Sequence, residues 1–118
     1  MAAVAKLMEM KPAIDIEHLA RMTLGERSLE REVLELFGRQ ADMLLPRIRR
    51  GDPALAAASA HTLKGSAVGI GAFGVARAAE ALERAQKNDQ DDGVVTAIET
   101  LAVVLEETKA EIARLLAN

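Results

Sequence analysis

The chain has 118 residues, half of them hydrophobic, with two aromatics (Phe37 and Phe73), no cysteine and a net charge of −3. That length suits one domain, and an alanine- and leucine-rich composition with few prolines suits helices. The lack of cysteine excludes disulfides, thiolate metal sites and cysteine nucleophiles and fits a reducing cytoplasm, while the interspersed charges leave no basic stripe for nucleic acid.

In chain order, the opening MAAVAKLMEMKP is interrupted by Lys6, Glu9 and Lys11, so it reads neither as a signal peptide nor as a membrane span. We expect one domain over 1–118, with 1–13 as an N-terminal extension. Ile14, Ile16, Leu19, Ala20 and Met22 predict a short helix over 15–22, broken at Thr23-Leu24-Gly25. A second helix is expected over 27–50, with Leu29, Val33, Leu36, Phe37, Gln40, Leu44 and Ile48 on one stripe and a kink at Pro46. Gly51-Asp52-Pro53 is a boundary: a left-handed terminator, an N-cap and a first-turn proline. The third helix covers 53–70 and ends at Gly69 and Gly71. The fourth covers 72–87, with Phe73, Ala76, Ala79 and Leu82 inward. The polar stretch NDQDD reads as a loop. The last helix covers 93–116, with Val94, Ile98, Leu101, Ala102, Leu105, Thr108, Ile112 and Leu115 on its stripe. No strand alternation or repeat is present. The expected fold is all-α: an antiparallel up-and-down four-helix bundle with the short first helix as a lid.

The third helix holds the most informative residue. With Leu63 at the centre of its buried face, Ala56, Ser59, Ala67 and Ile70 fall within roughly 40°, whereas His61 falls about 160° away. Ala54, Ala57, Ala58, Gly65 and Val68 share the side of His61, and Lys64 flanks it. A solvated helix face carries Glu, Lys, Arg and Gln; this one is smooth and mostly uncharged around a single titratable group, as a surface that meets another protein would be. Gly65, at i+4 from His61, costs about 1 kcal/mol against alanine within a helix and leaves room beside the imidazole. The same residues also fit a plainer reading: an inert surface histidine, a solvated lysine and a glycine near a helix end.

The segment AHTLKGSAVGIG resembles the active segment of histidine-containing phosphotransfer (HPt) domains, and Leu36-Phe37 and ALERA at 81–85 resemble further recurring positions of that family. The resemblance spans roughly 14–115. It implies a relay that takes a phosphoryl group from an aspartate of one receiver domain, such as that of a hybrid histidine kinase, and passes it to an aspartate of another on a response regulator. By resemblance His61 is the phosphoacceptor, Lys64 the lysine beside the phosphate and Gly65 the glycine that leaves space. Ser66 also matches, although its place on the wheel favours a packing or backbone role. Glu83, with Glu80 one turn earlier, matches a position from which a polar side chain touches the other ring nitrogen; both also read as solvated helix charges. Arg77 and Arg84 are candidates for meeting an acidic partner, alongside Ala54, Ala57, Ala58 and Val68. The resemblance implies Mg²⁺ on the receiver and no cofactor on this chain, which has no glycine-rich ATP loop and is not expected to phosphorylate itself. A monomer in the cytoplasm is expected.

Three other classes fit the residues less well. A non-catalytic adaptor would not need His61, Lys64 and Gly65 together. A di-iron bundle needs repeated inward Glu-x-x-His motifs, and this chain has two histidines without that spacing. The dimeric histidine domain of a sensor kinase carries an acidic residue directly after its histidine, where Thr62 stands here. His18 reads as a surface or lid residue.

Overall fold

The computed structural model describes residues 12–88 and 91–118. Among these it contains five helices and no strand: α1 (Ile16–Met22), α2 (Arg27–Arg49), α3 (Pro53–Ile70), α4 (Phe73–Lys87) and α5 (Asp91–Ala117). None of them is long and apolar enough to cross a membrane. Most of the expected extension, residues 1–11, lies outside the described residues.

Local chemistry sets the boundaries. Asp52 caps α3 by accepting hydrogen bonds from the Ala54 and Leu55 amides, at 3.0 and 3.2 Å, and Gly51 turns the chain at φ +90°. Asp15 caps α1 through the His18 amide at 3.0 Å. Helix α2 continues through Pro46 to Arg49. Gly69 stays within α3, and Gly71 alone terminates it, in a left-handed conformation at φ +80°. Asp91 and Asp92, expected in a loop, form the acidic first turn of α5, where carboxylates complement the helix dipole.

Each long helix packs on the next, and α5 returns to α2. The core inside this ring holds Phe37, Ile48, Leu63, Leu82, Leu101 and Leu105, all essentially inaccessible. The buried stripe of α2 is Leu34, Phe37, Ala41, Leu44 and Ile48, alternating steps of three and four. This corrects the expected stripe: Leu36 is 56% exposed, while Leu29, Val33 and Gln40 are only half-buried. Adjacent residues stand about 100° apart on a helix, so Leu36 and Phe37 cannot both face inward, and the larger ring takes the core. On α3 the expected face is observed, with Ala56, Ser59, Leu63, Ala67 and Ile70 buried and Ala60 added. On α4, Ala76, Ala79 and Leu82 are buried together with Val75 and Ala78, whereas Phe73 is only half-buried.

Polar contacts fix the register of α5 against α2. Lys109 donates to Asp42 at 2.5 Å, which holds its ammonium pKa above the usual lysine value, and Arg49 meets Glu99 at 3.2 Å. Exposed pairs of this kind contribute little free energy and mainly select an alignment. Near the other end of α2, Arg31 donates to the Leu116 carbonyl in the last turn of α5 at 2.8 Å, and Arg27 donates to the Asn118 carbonyl just beyond it.

Helix α1 lies against the α3–α4 turn. Ile14 and Leu19 are buried, the Asp15 amide donates to the Gly71 carbonyl at 2.9 Å, and the His18 ring stands edge-on to Phe73 with centroids 5.1 Å apart. His18 Nε2 is 2.8 Å from the Val68 carbonyl oxygen. A carbonyl only accepts, so Nε2 carries the proton. A Cβ at Gly71 would lie 2.8 Å from the Asp15 carbonyl oxygen. Gly71 is therefore required twice, by its backbone conformation and by this approach. Gly71→Ala is expected to cost at least about 1–2 kcal/mol from the left-handed backbone alone and to loosen α1. The checks are a fall in melting temperature of several degrees and faster amide exchange at Leu19.

Candidate functional site

His61 stands on the outer face of α3 with its side chain 72% exposed, and its Nδ1 lies 3.4 Å from Glu83 Oε2 on α4. The other oxygen of the same carboxylate, Oε1, lies 3.4 Å from Lys64 Nζ. Glu83 is itself mostly buried, at 20% exposure. Neither contact has the 2.7–2.9 Å length of a committed charge-assisted hydrogen bond, and Oε1 is shielded from solvent without a hydrogen-bond partner. One carboxylate is thus shared between a ring nitrogen and an ammonium group. His61 makes no hydrogen bond through Nε2 to any described residue, so that nitrogen faces away from Glu83 with its lone pair or proton free.

This arrangement follows from helix geometry. His61 and Lys64 are three residues apart and flank one face of α3. Glu83 follows the fully buried Leu82, so it emerges beside the core where α4 meets α3. Further along the same seam, the Gln86 amide donates to the Pro53 carbonyl at 3.3 Å.

The other expected positions divide. Gly65 is exposed, and a Cβ added there would meet nothing within 4 Å. The fold makes no demand for glycine at this position. Ala54 and Ala58 are exposed and Val68 is 44% exposed, all beside His61, but Ala57 is half-buried and only partly on that face. Its offset arises because α4 covers one flank of α3. Glu80 does not reach His61 or Lys64; its carboxylate pairs with Arg84 at 3.5 Å, one turn along α4. Arg77 and Glu80 line a shallow depression with Lys64, Gly65, Val68 and Phe73. Ser66 is half-buried. His18, expected as a surface or lid residue, ties α1 to the end of this face through the Val68 carbonyl; its position beside buried Leu19 does not signal a contact fifty residues away.

With the geometry in place, comparison with known proteins identifies the class. The Hpt domain family matches residues 32–118, and the chain belongs to this family. It has the histidine phosphotransfer role in a phosphorelay that its sequence implied, and receiver domains are the partner class of such relays. The fold resembles a rice protein reported as a histidine-containing phosphotransfer protein, with a TM-score of 0.78 and 19% identity over 98% of this chain and 88% of that one; this likeness speaks for the fold. It also resembles the histidine phosphotransferase ShpA from Caulobacter crescentus, with a TM-score of 0.70 and 28% identity over 86% of this chain and 88% of that one. No curated protein matches the chain by sequence.

The open space at Gly65 separates two explanations of the glycine. Gly65→Ala is expected to stabilise the protein by up to about 1 kcal/mol, the helix-propensity difference, since nothing opposes the new methyl group. Gly65→Gln is expected to leave the melting temperature near that of the parent and to slow phosphotransfer. Thermal unfolding alongside a transfer assay checks both.

Proposed function

We propose that His61 is the phosphoacceptor of this relay and that Nε2 is its nucleophilic atom. The observation that carries this reading is the orientation of the ring: Nδ1 is directed at Glu83 on α4, and the side chain is 72% exposed. A neutral imidazole is nucleophilic near neutral pH. The Nε2 lone pair attacks the phosphorus of a receiver's aspartyl phosphate, the P–O bond to the aspartate breaks, and the aspartate leaves as carboxylate. The return step, onto a second receiver's aspartate, is the reverse. Phosphoryl transfer of this kind depends on positioning and charge stabilisation. Lys64 supplies positive charge one turn from the ring, Gly65 leaves space for the reacting groups, and Glu83 orients the ring.

Ala54, Ala58 and Val68, with the exposed edge of Ala57, form the seat for a receiver helix, and Arg77 and Arg84 meet acidic groups around it. We read the ring of four long helices as an antiparallel up-and-down bundle with α1 as its lid, and the chain as one domain acting as a monomer in the cytoplasm. The chain binds no cofactor on this reading; Mg²⁺ belongs to the receiver.

His61→Gln is expected to abolish acid-labile phosphorylation by a phosphorylated receiver domain, whereas His18→Gln retains it. Undiminished labelling of the His61 variant would sink the reading.

Docking is tested separately at Ala58, which is exposed. Ala58→Glu is expected to change stability by no more than about 0.5 kcal/mol, as surface substitutions do. It is also expected to weaken receiver binding, because a carboxylate would lose its water at the interface. Titration calorimetry with thermal unfolding as the control measures both. Affinity equal to the parent's would place the receiver on another face.

A further inference from the structure

We propose that residues 1–11 cover the groove between α1 and the start of α4, and that they compete there with the receiver domain for Phe73 and Arg77. The contact stands on the groove itself, whereas the competition rests on the receiver seat proposed beside His61.

The groove holds about 620 Å³, within the roughly 300–1,000 Å³ of pockets that take up compact apolar ligands. Its large apolar side chains are Ile16 and Phe73, and its charges are Asp15, Glu17 and Arg77. Ile16 stands outside the core and is 48% exposed, and Phe73 is only half-buried. Both leave apolar surface open to water, and covering such surface is favourable.

The edge of the groove points to its occupant. Pro12 lines it, so residues 1–11 join the fold at that edge. Their sequence, MAAVAKLMEMK, places Leu7 and Met8 five and four residues before Pro12. Five extended residues cover at most about 18 Å, so this apolar pair is tethered close to Ile16 and Phe73. The charges match as well. The groove carries two acids and one base, Asp15, Glu17 and Arg77. The segment carries two bases and one acid, Lys6, Lys11 and Glu9, so Glu9 is its partner for Arg77. Opposite charges gain more from each other in a groove than in open water. Tethering adds to this: a short linker holds its ligand at an effective concentration in the mM range. A contact too weak between separate molecules is then populated within one chain, and a second copy lacks that advantage.

The location gives the contact a consequence. The depression beside Lys64, Gly65 and Val68 shares Phe73 and Arg77 with the groove. Val68 and Arg77 belong to the surface proposed for the receiver. A segment seated on Phe73 and Arg77 occupies one margin of that surface, and it weakens receiver binding without touching His61.

The experiment uses the full chain with carbon-13 in its leucine and methionine methyl groups. The chain has two Phe residues, and Phe37 is buried in the core, so a Phe ring met by residues 1–11 is that of Phe73. Nuclear Overhauser contacts from the Leu7 or Met8 methyl groups to this ring are expected, and a mixture of labelled and unlabelled chains is expected to show that they are intramolecular. The double variant Leu7→Asp with Met8→Asp, and separately Ile16→Asp, should abolish them and leave the melting temperature near that of the parent. The double variant should also bind the receiver domain that phosphorylates the chain several-fold more tightly, by titration calorimetry. Absence of the contacts in the parent overturns the inference, and contacts formed only between chains give the groove to a second copy and overturn it too. If Ala58→Glu weakens receiver binding but the double variant does not strengthen it, the competition fails while the receiver seat stands. If Ala58→Glu leaves affinity unchanged, the receiver seat itself has failed and the competition falls with it.

Discussion

The functional site depends on how α4 is seated against α3. Both helices bury mostly small side chains: Ala56, Ala60 and Ala67 on one, Ala76, Ala78 and Ala79 on the other. Short side chains let helix backbones approach closely, and the separation of two helices is set by what lies between them. A carboxylate side chain is only a few bonds long. Were the buried alanines leucines, Glu83 would stand farther from His61 and Lys64 and could not bridge them. The alanine content that marked the chain as helical therefore also sets the dimensions of the site.

The other side of α3 is defined by what it omits. Gly65 has open space around it, and Ala54 and Ala58 leave the helix surface low and uncharged. A large side chain at any of these positions would cost the fold little, since none supports the core. On the proposed reading their smallness serves contact with a receiver domain. The charges that are present stand at the margin of this surface, with Arg77 and the Glu80–Arg84 pair along α4. An uncharged centre with a charged rim is the distribution expected of a surface that loses water at its middle and keeps it at its edges.

The sequence made the outer face of α3 legible because a single residue, Leu63, fixed the phase of the helix. Its neighbours at three- and four-residue spacing then had to be buried, and they are. Periodicity alone is less decisive on α2, where Leu36 and Phe37 are adjacent and large and only one can face inward. Nor does periodicity reveal that Ala57 is half-buried rather than exposed. Boundaries were readable wherever the chain carried a cap, as at Asp52 and Gly71, and less so at Asp91, where acidic residues suit a loop and a helix N-terminus equally. Position 83 was readable as a candidate, but its connection to both His61 and Lys64 was not. That connection depends on the distance between two helices, which no periodicity in either one specifies. The bond from His18 to the Val68 carbonyl is a long-range contact of the same kind.

If His61 is the nucleophile, as proposed, its place in the middle of a helix has a mechanical consequence. The backbone of α3 around His61 is held by intrahelical hydrogen bonds, and its far end is fixed by the Gly71 turn and by α1 through Asp15 and His18. Sites on regular elements hold their geometry more tightly than sites on loops, and transfer between two atoms rewards that, because small misplacements are costly. The rigidity also limits what can respond to a new charge. When a phosphoryl group arrives, the helix cannot rearrange around it without breaking its own hydrogen bonds. Adjustment falls to side chains that are long, charged and only loosely paired, and at this site Lys64 and Glu83 have those properties. A fixed backbone suits a carrier that must accept and release the same group, because nothing has to refold between the two steps.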